Sequence, residues 1–206
     1  MSEPISDELS AAIIAGGKSR RFGAPKALAR LGGQTLLDHA LRLAGQISSR
    51  VLLNYGETDL YAGRNVPLVR DVFPGCGPLG GIYSVLQAAQ TPLVAVLPCD
   101  LPLLPAQVYR LLFVRRQENR PAIARSQRGL EPLVSIWPTT LARELEARLR
   151  KGDFALQKAI RELQGVEIPM PEELPGYRGE FFLNVNRKED LEQIECYLQR
   201  GVWALD

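Results

Sequence analysis

Histidine and cysteine are scarce in this chain of 206 residues: His39 is its one histidine, and Cys76, Cys99 and Cys196 are its cysteines. Odd in number, scattered and without a CxxC pair, the cysteines provide no disulfide framework and, with one histidine to join them, no structural zinc site. They point to a reducing compartment and to structural roles, with Cys99, beside an acid, a candidate for modification. An excess of one charge is lacking as well. Lysine and arginine number 25 against 23 aspartates and glutamates, so no global positive field exists to grip duplex nucleic acid, and nucleic acid is not expected as a partner. No apolar run approaches membrane-spanning length, and the opening "MSEPISDELS" is acidic and lacks the apolar core of a signal peptide, so the expectation is a cytoplasmic protein with no membrane contact. Within the glycine-rich stretch 15–26 the standard glycine-loop signatures are missing too, since neither GxxxxGK[ST] nor GxGxxG with an acid about twenty residues on can be placed there.

What is present is the composition of a globular protein, 46% hydrophobic and 23% charged, which predicts one domain over 1–206. Short apolar runs alternate with segments of helical period, the pattern of an α/β protein with a mainly parallel sheet covered by helices. The predicted strands are 10–15, 50–54, 66–71, 92–100, 121–125, 132–137 and 180–186. Leu37, Ala40, Leu41 and Ala44 make one apolar helix face, and Ile82, Val85, Leu86 and Ala89 a second. Further helices are expected near 105–118, 139–150, 153–164 and 188–200. "PMPEELPGYRGE" (169–180) reads as an exposed loop before the last strand. His39 falls in a helical pattern and reads as a surface or partly packed residue without a catalytic task.

One loop stands out. "AGGKSRRFGAPK" (15–26) follows the first strand and combines Gly16, Gly17 and Gly23 with Lys18, Arg20, Arg21 and Lys26, with no acid among them. Glycines let backbone N–H groups approach anionic oxygens, and the cations supply charge and directed donors, so the stretch points to phosphate and a nucleoside triphosphate is the natural ligand. A flexible surface loop with solvated cations is the alternative.

Ligands of parallel α/β sheets gather beyond the carboxyl ends of the strands. There the first strand runs into the glycine loop, the second ends at Asn54, the third at Asp71 and the fourth at Asp100. Asp100 is followed by "LPLLP", whose prolines prevent an immediate helix, so a helix cap explains it poorly. A carboxylate at a cleft edge beside phosphates suits Mg²⁺, which is commonly held by one or two carboxylates plus phosphate oxygens and water. The second glycine cluster, "GCGPLGGIYSVLQ" (75–87), opens a helix and favours an anion or a polar base edge; it reads equally as tight packing of helix on sheet.

These motifs together resemble a known family. "IIAGGKSRRFGAPKALARLGG", "GPLGGI" (77–82), "PCDLP" (98–102), "PLVSIW" and "FLNVN" (182–186) occur in the order and spacing of the molybdenum cofactor guanylyltransferases, the MobA family. The resemblance implies a three-layer, Rossmann-like nucleotidyltransferase fold with a mainly parallel twisted sheet, a nucleotide-binding N-terminal half and an acceptor-binding C-terminal half. It implies transfer from GTP to molybdopterin with Mg²⁺ as cofactor, and transient contact with molybdoenzymes or other cofactor-assembly proteins. Residue by residue, Ile14, Ala15, Gly16 and Gly17 would contact the nucleotide and Lys26 its phosphates. Asn54, Asp71 and Gly80 would line the same site, Asp100 would hold the metal, and Asn184 and Asn186 would stand near the reacting phosphates. Lys26, Asp100 and Arg20 are the expected catalytic residues, with Arg20 or Arg21 on the pyrophosphate oxygens. Asn186 with Glu189 three residues on is also a helix N-cap signature.

The pattern is departed from at Phe22, in place of the loop methionine, at Arg187, in place of threonine, and at Glu131, where a histidine often precedes "PL". Arg125, Arg128 and Lys158 are available to a second phosphate, and surface solubility explains them equally. Two alternatives remain at this level: a related enzyme using CTP or another acceptor, and a non-catalytic nucleotide-binding accessory protein.

Overall fold

Alternation along the first strand sets the layering. In β1 (Leu9–Ile14), Leu9, Ala11 and Ile13 belong to one apolar cluster, while Ala12 and Ile14 belong to another. A strand that is apolar on both faces has to be covered on both, as a parallel sheet flanked by helices is. The computed structural model describes residues 3–16, 25–56, 61 and 64–199. Within them β4 (Val51–Gly56), β5 (Leu68–Arg70), β6 (Leu93–Pro98), β7 (Ala122–Ser126), β8 (Gly129–Pro138) and β9 (Val166–Pro169) join β1 in a seven-stranded sheet. Its order is β5-β4-β1-β6-β8-β7-β9, and β8 alone of these runs antiparallel to its neighbours. Two short strands, β2 (Arg30–Leu31) and β3 (Gln34–Thr35), form a separate hairpin that turns at Gly32 and Gly33. Both glycines have positive φ, 56° and 83°, the conformation a two-residue hairpin turn demands.

Helices cover both faces. On one lie α1 (Leu36–Ile47) and α3 (Ala106–Arg115), which bury Leu37, Ala44, Ile47, Val108 and Leu112 against β1 and its neighbours. On the other lie α2 (Gly77–Ala88), α4 (Ala142–Arg150) and α5 (Leu156–Glu162), burying Ile82, Val85, Leu145, Leu149 and Ile160. The start of α1 is set by a reciprocal cap: the Asp38 N–H donates to Thr35 Oγ1 and the Thr35 N–H to the Asp38 carboxylate, a device whose loss costs about 1 kcal/mol. No helix among the described residues is long and apolar enough to cross a membrane.

The expected α/β architecture is present, and the largest departures lie in the C-terminal third. Residues 180–186 are not a strand. Gly179–Phe182 form a 3-10 turn that leads into extended chain, and β9, beside β7, takes the sheet edge instead. Phe181 and Phe182 are consecutive and both buried, whereas neighbours in a strand point to opposite faces. Nor is 169–180 simply an exposed loop, because it contains the short helix α6 (Met170–Glu173) and buries Met170 and Leu174 in the core. His39 is buried, not superficial: its Nε2 donates to the Leu31 carbonyl at 3.0 Å, tying α1 to the β2–β3 hairpin. The last helix, α7 (Lys188–Gln199), packs against β2.

Candidate active site

Strand register assembles the site. Val69, Asn54, Ile14 and Pro98 are paired in one row across β5, β4, β1 and β6, so the residues just past that row, Asp71, Ala15, Gly16 and Asp100, lie along a common carboxyl-end rim. The row is tightly bonded. Asn54 Nδ2 donates to the Asp71 carboxylate at 2.7 Å and to the Val69 carbonyl at 3.2 Å, and the Ala15 N–H donates to the Asn54 carbonyl at 2.9 Å. The Val72 N–H donates to Ser84 Oγ, which donates in turn to the Gly80 carbonyl, so the chain leaving Asp71 is fastened to the first turns of α2.

The centre of the rim is an ion pair. Lys26 Nζ lies 2.5 Å from Asp100 Oδ2, with both side chains less than one-fifth exposed. The same ammonium is 3.4 Å from Asn186 Oδ1. Segments 74 and 160 residues apart in the chain therefore meet at one cation. The carboxylate is thereby shown to face a point where positive charge is held. No group of three or more His, Cys, Asp or Glu able to hold a metal occurs among the described residues, so a divalent ion at Asp100 would have to be completed by substrate phosphates and water.

Residues 11–166 match the MobA-like NTP transferase domain. The chain belongs to this family. A probable molybdenum cofactor guanylyltransferase of Carboxydothermus hydrogenoformans is 38% identical over 191 residues, covering 90% of this chain and 94% of that protein. The molybdenum cofactor guanylyltransferase of Rhizobium johnstonii is 34% identical over 203 residues, covering 93% of each. In fold, the chain is similar to molybdopterin-guanine dinucleotide biosynthesis protein A of Archaeoglobus fulgidus, with a TM-score of 0.80 at 21% identity over 93% of this chain and 99% of that one.

Within this nucleotidyltransferase frame, Lys26, Asp100 and Asn186 converge, as do Ile14, Ala15, Asn54 and Asp71 at the adjoining strand ends. Asn184 is exposed on the segment that approaches Asp100, where the Val185 N–H donates to the Asp100 carbonyl at 2.9 Å. Gly17 and Arg20, with Lys18, Arg21 and Phe22, lie outside the described residues. The cap reading of Asn186 is corrected: the Asp190 carboxylate accepts the N–H groups of both Asn186 and Arg187, which leaves the Asn186 side chain to meet Lys26.

The second glycine cluster has close surroundings. A Cβ on Gly80 would come 3.0 Å from Cys76 Cβ and 3.1 Å from the Phe73 carbonyl, and one on Gly81 would come 2.9 Å from Asn54 Oδ1. Close packing of helix on sheet is thus a firm requirement there. Asn54 Oδ1 is buried and has no hydrogen-bond partner among the described residues.

Three contributors carry no signal in the sequence pattern. Tyr61 is buried and its hydroxyl reaches the Ala15 carbonyl at 3.4 Å; burial pushes its phenol up to about 12. Ser84 looks like any small residue on a helix. Ser126, at the end of β7, donates to the Glu131 carboxylate at 2.7 Å. Glu131, noticed in the sequence only as a departure, stands on β8 toward Asp100, and its carboxyl is held above the ordinary range by burial, with the Asp100 charge adding and Ser126 and Arg128 opposing. Cys99 is half-buried, and desolvation, reinforced by Asp100, pushes its thiol up to about 12. Arg125 and Lys158 are both engaged, in ion pairs with Glu167 and Asp153.

Proposed function

We propose that this protein transfers GMP from GTP to molybdenum-bearing molybdopterin, giving the guanine dinucleotide form of the cofactor and pyrophosphate, with Mg²⁺ as the divalent ion. The observation that carries this reading is the meeting of Lys26, Asp100 and Asn186 at one point of the rim, in a chain whose relatives bear the guanylyltransferase name. The nucleotide lies over the β5-β4-β1-β6 half of the rim, against Ile14, Ala15, Gly16, Gly17, Asn54, Asp71 and Gly80. The acceptor comes from the β8-β7-β9 half, toward Asn184 and Asn186.

The terminal phosphate of molybdopterin attacks the α-phosphorus of GTP in line, forming a new P–O bond as the bond to the pyrophosphate oxygen breaks. The nucleophile is already anionic, so no general base is needed, and the protein contributes alignment and charge stabilisation. Lys26 and Arg20 hold the departing pyrophosphate oxygens. Asn184 and Asn186 orient the incoming phosphate. Asp100 would hold Mg²⁺, which when bound supplies charge neutralisation at the phosphates. Asp71 and neighbouring backbone carbonyls accept N–H donors of guanine, and another base would leave these acceptors unpaired.

The test is pyrophosphate release from each of the four nucleoside triphosphates with Mg²⁺ and molybdopterin. Release with GTP alone is expected. Release with CTP or with a sugar phosphate acceptor instead would make the protein a relative of different specificity, and binding without turnover would make it an accessory protein.

A further inference from the structure

The three segments that meet at Lys26, Asp100 and Asn186 meet a second time, through apolar side chains. Leu31 and Leu36 lie on the hairpin and helix start that follow Lys26, Leu103 follows Asp100, and Val185 and Ile194 flank Asn186 along the chain. These five are buried together in a cluster of their own, separate from the cores on the two faces of the sheet. Leu191, Leu183 and Ala29 pack around it. Backbone groups reinforce the junction: Val185 N–H donates to the Asp100 carbonyl, and Leu36 N–H to the Ala29 carbonyl, each at 2.9 Å. The Gly32 N–H points to the Glu195 carboxylate at 3.5 Å. At the other end of the connection, Asp190 pins the backbone of Asn186 and Arg187 at the entry to α7.

Asn186 itself is exposed, and a 3.4 Å contact between its amide and a lysine is too long to set its position unaided. Its placement has to come from the neighbours that are buried. We propose that α7 is a positioning element for the active site: by seating Ile194 among Leu31, Leu36 and Leu103, it holds Asn186 beside the Lys26–Asp100 pair. Ile194 is 1% exposed and belongs to the apolar cluster rather than to the polar rim, so it acts through the chain it anchors. A reacting group displaced by about 1 Å can lose up to about a hundredfold in rate, so a cavity under α7 is felt at the rim.

The proposal rests on the guanylyltransferase reading for its activity readout only, and its test has a second readout that needs no substrate. Ile194→Ala, Ile194→Val and, as a control in the cluster beneath α5, Ile160→Ala are compared with the unaltered full chain. Hydrogen exchange of the Val185 amide is measured together with steady-state pyrophosphate release from GTP and molybdopterin. Ile194→Ala is expected to speed Val185 exchange tenfold or more while the β1 amides keep their protection, and to lower kcat about tenfold with the KM for GTP within about threefold. Ile194→Val restores both, and Ile160→Ala leaves Val185 exchange and kcat unchanged although it also loses a buried isoleucine. Unchanged Val185 exchange in Ile194→Ala, or an equal response in Ile160→Ala, overturns the proposal. If the unaltered protein turns over none of the nucleotides, the functional reading fails, and Val185 exchange alone still decides whether α7 fixes this junction.

Discussion

Asn54, under the parallel half of the rim, is 1% exposed and gives its amide protons to Asp71 and Val69, whereas Asn186, across β6, is exposed and reaches toward the Lys26 ammonium from an extended segment. The two regions differ in what holds their polar groups. From β5 to β6 the strands are parallel and paired up to the row of Asn54, with one irregularity between β4 and β5 just past it, and side chains at their ends sit on buried backbone and bond to one another. Beyond β6, where β8 runs the other way, Asn184 and Asn186 stand on chain between a 3-10 turn and α7, outside the sheet, and Arg125 on β7 is occupied by Glu167. A preorganised half suits a ligand whose shape is constant and whose charge must be met without rearrangement. The looser half places its groups indirectly, by burying what lies next to them.

Substitutions can break or sharpen this contrast. The largest effect is expected at the junction of the halves: Asp100→Ala should lower turnover by about a hundredfold or more, corresponding to about 3 kcal/mol of lost electrostatic stabilisation, with circular dichroism and thermal unfolding showing a retained fold. Undiminished turnover would remove Asp100 from the mechanism. Next comes the tight half. In Gly81→Ala the new Cβ would lie 2.9 Å from Asn54 Oδ1, so Asn54 must shift and its bond to Asp71 loosen; the KM for GTP should rise about tenfold, about 1.4 kcal/mol, with kcat little changed. An unaltered KM would mean that the Asn54–Asp71 pair is not needed for nucleotide binding.

Smaller effects belong to the looser half. Glu131 has its carboxyl raised by burial, so between the ordinary glutamate value and its own the folded state keeps a proton that the unfolded chain has already released. Stability then falls as pH rises through that window, and Glu131→Gln should flatten this limb in denaturation curves recorded from pH 4 to pH 7. An unchanged slope would locate the pH dependence elsewhere. Arg125→Ala, which removes a partly exposed pair with Glu167, should cost less than about 1 kcal/mol of stability and leave acceptor KM unchanged. A marked rise in that KM would show that Arg125 exchanges Glu167 for substrate phosphate.

Much of the parallel half was legible in the chain. Apolar runs such as "AAII" and "LVAVLP" are what strands buried on both faces must look like, and the polar residues that end them mark the rim. The antiparallel half was less so. The pair Phe181–Phe182 reads as a strand because both residues favour one, and only the surrounding core shows that a 3-10 turn buries both. β9 is four residues long, too short for its alternation to stand out. Asn186 and Glu189 fit a capping pattern, yet Asp190, one residue further, makes the cap.

The linear order of residues was enough to specify the layers and the rim, because periodicity and the polar residues that end apolar runs are local properties. Contact between Lys26 and Asp100, the reach of Asn186 to Lys26, the burial of Ile194 in the same junction and the raised carboxyl of Glu131 depend on which distant segments pack together. Those were decided only by the folded chain, since strand register, side-chain burial and the local dielectric exist only once the sheet and its helices have closed around each other.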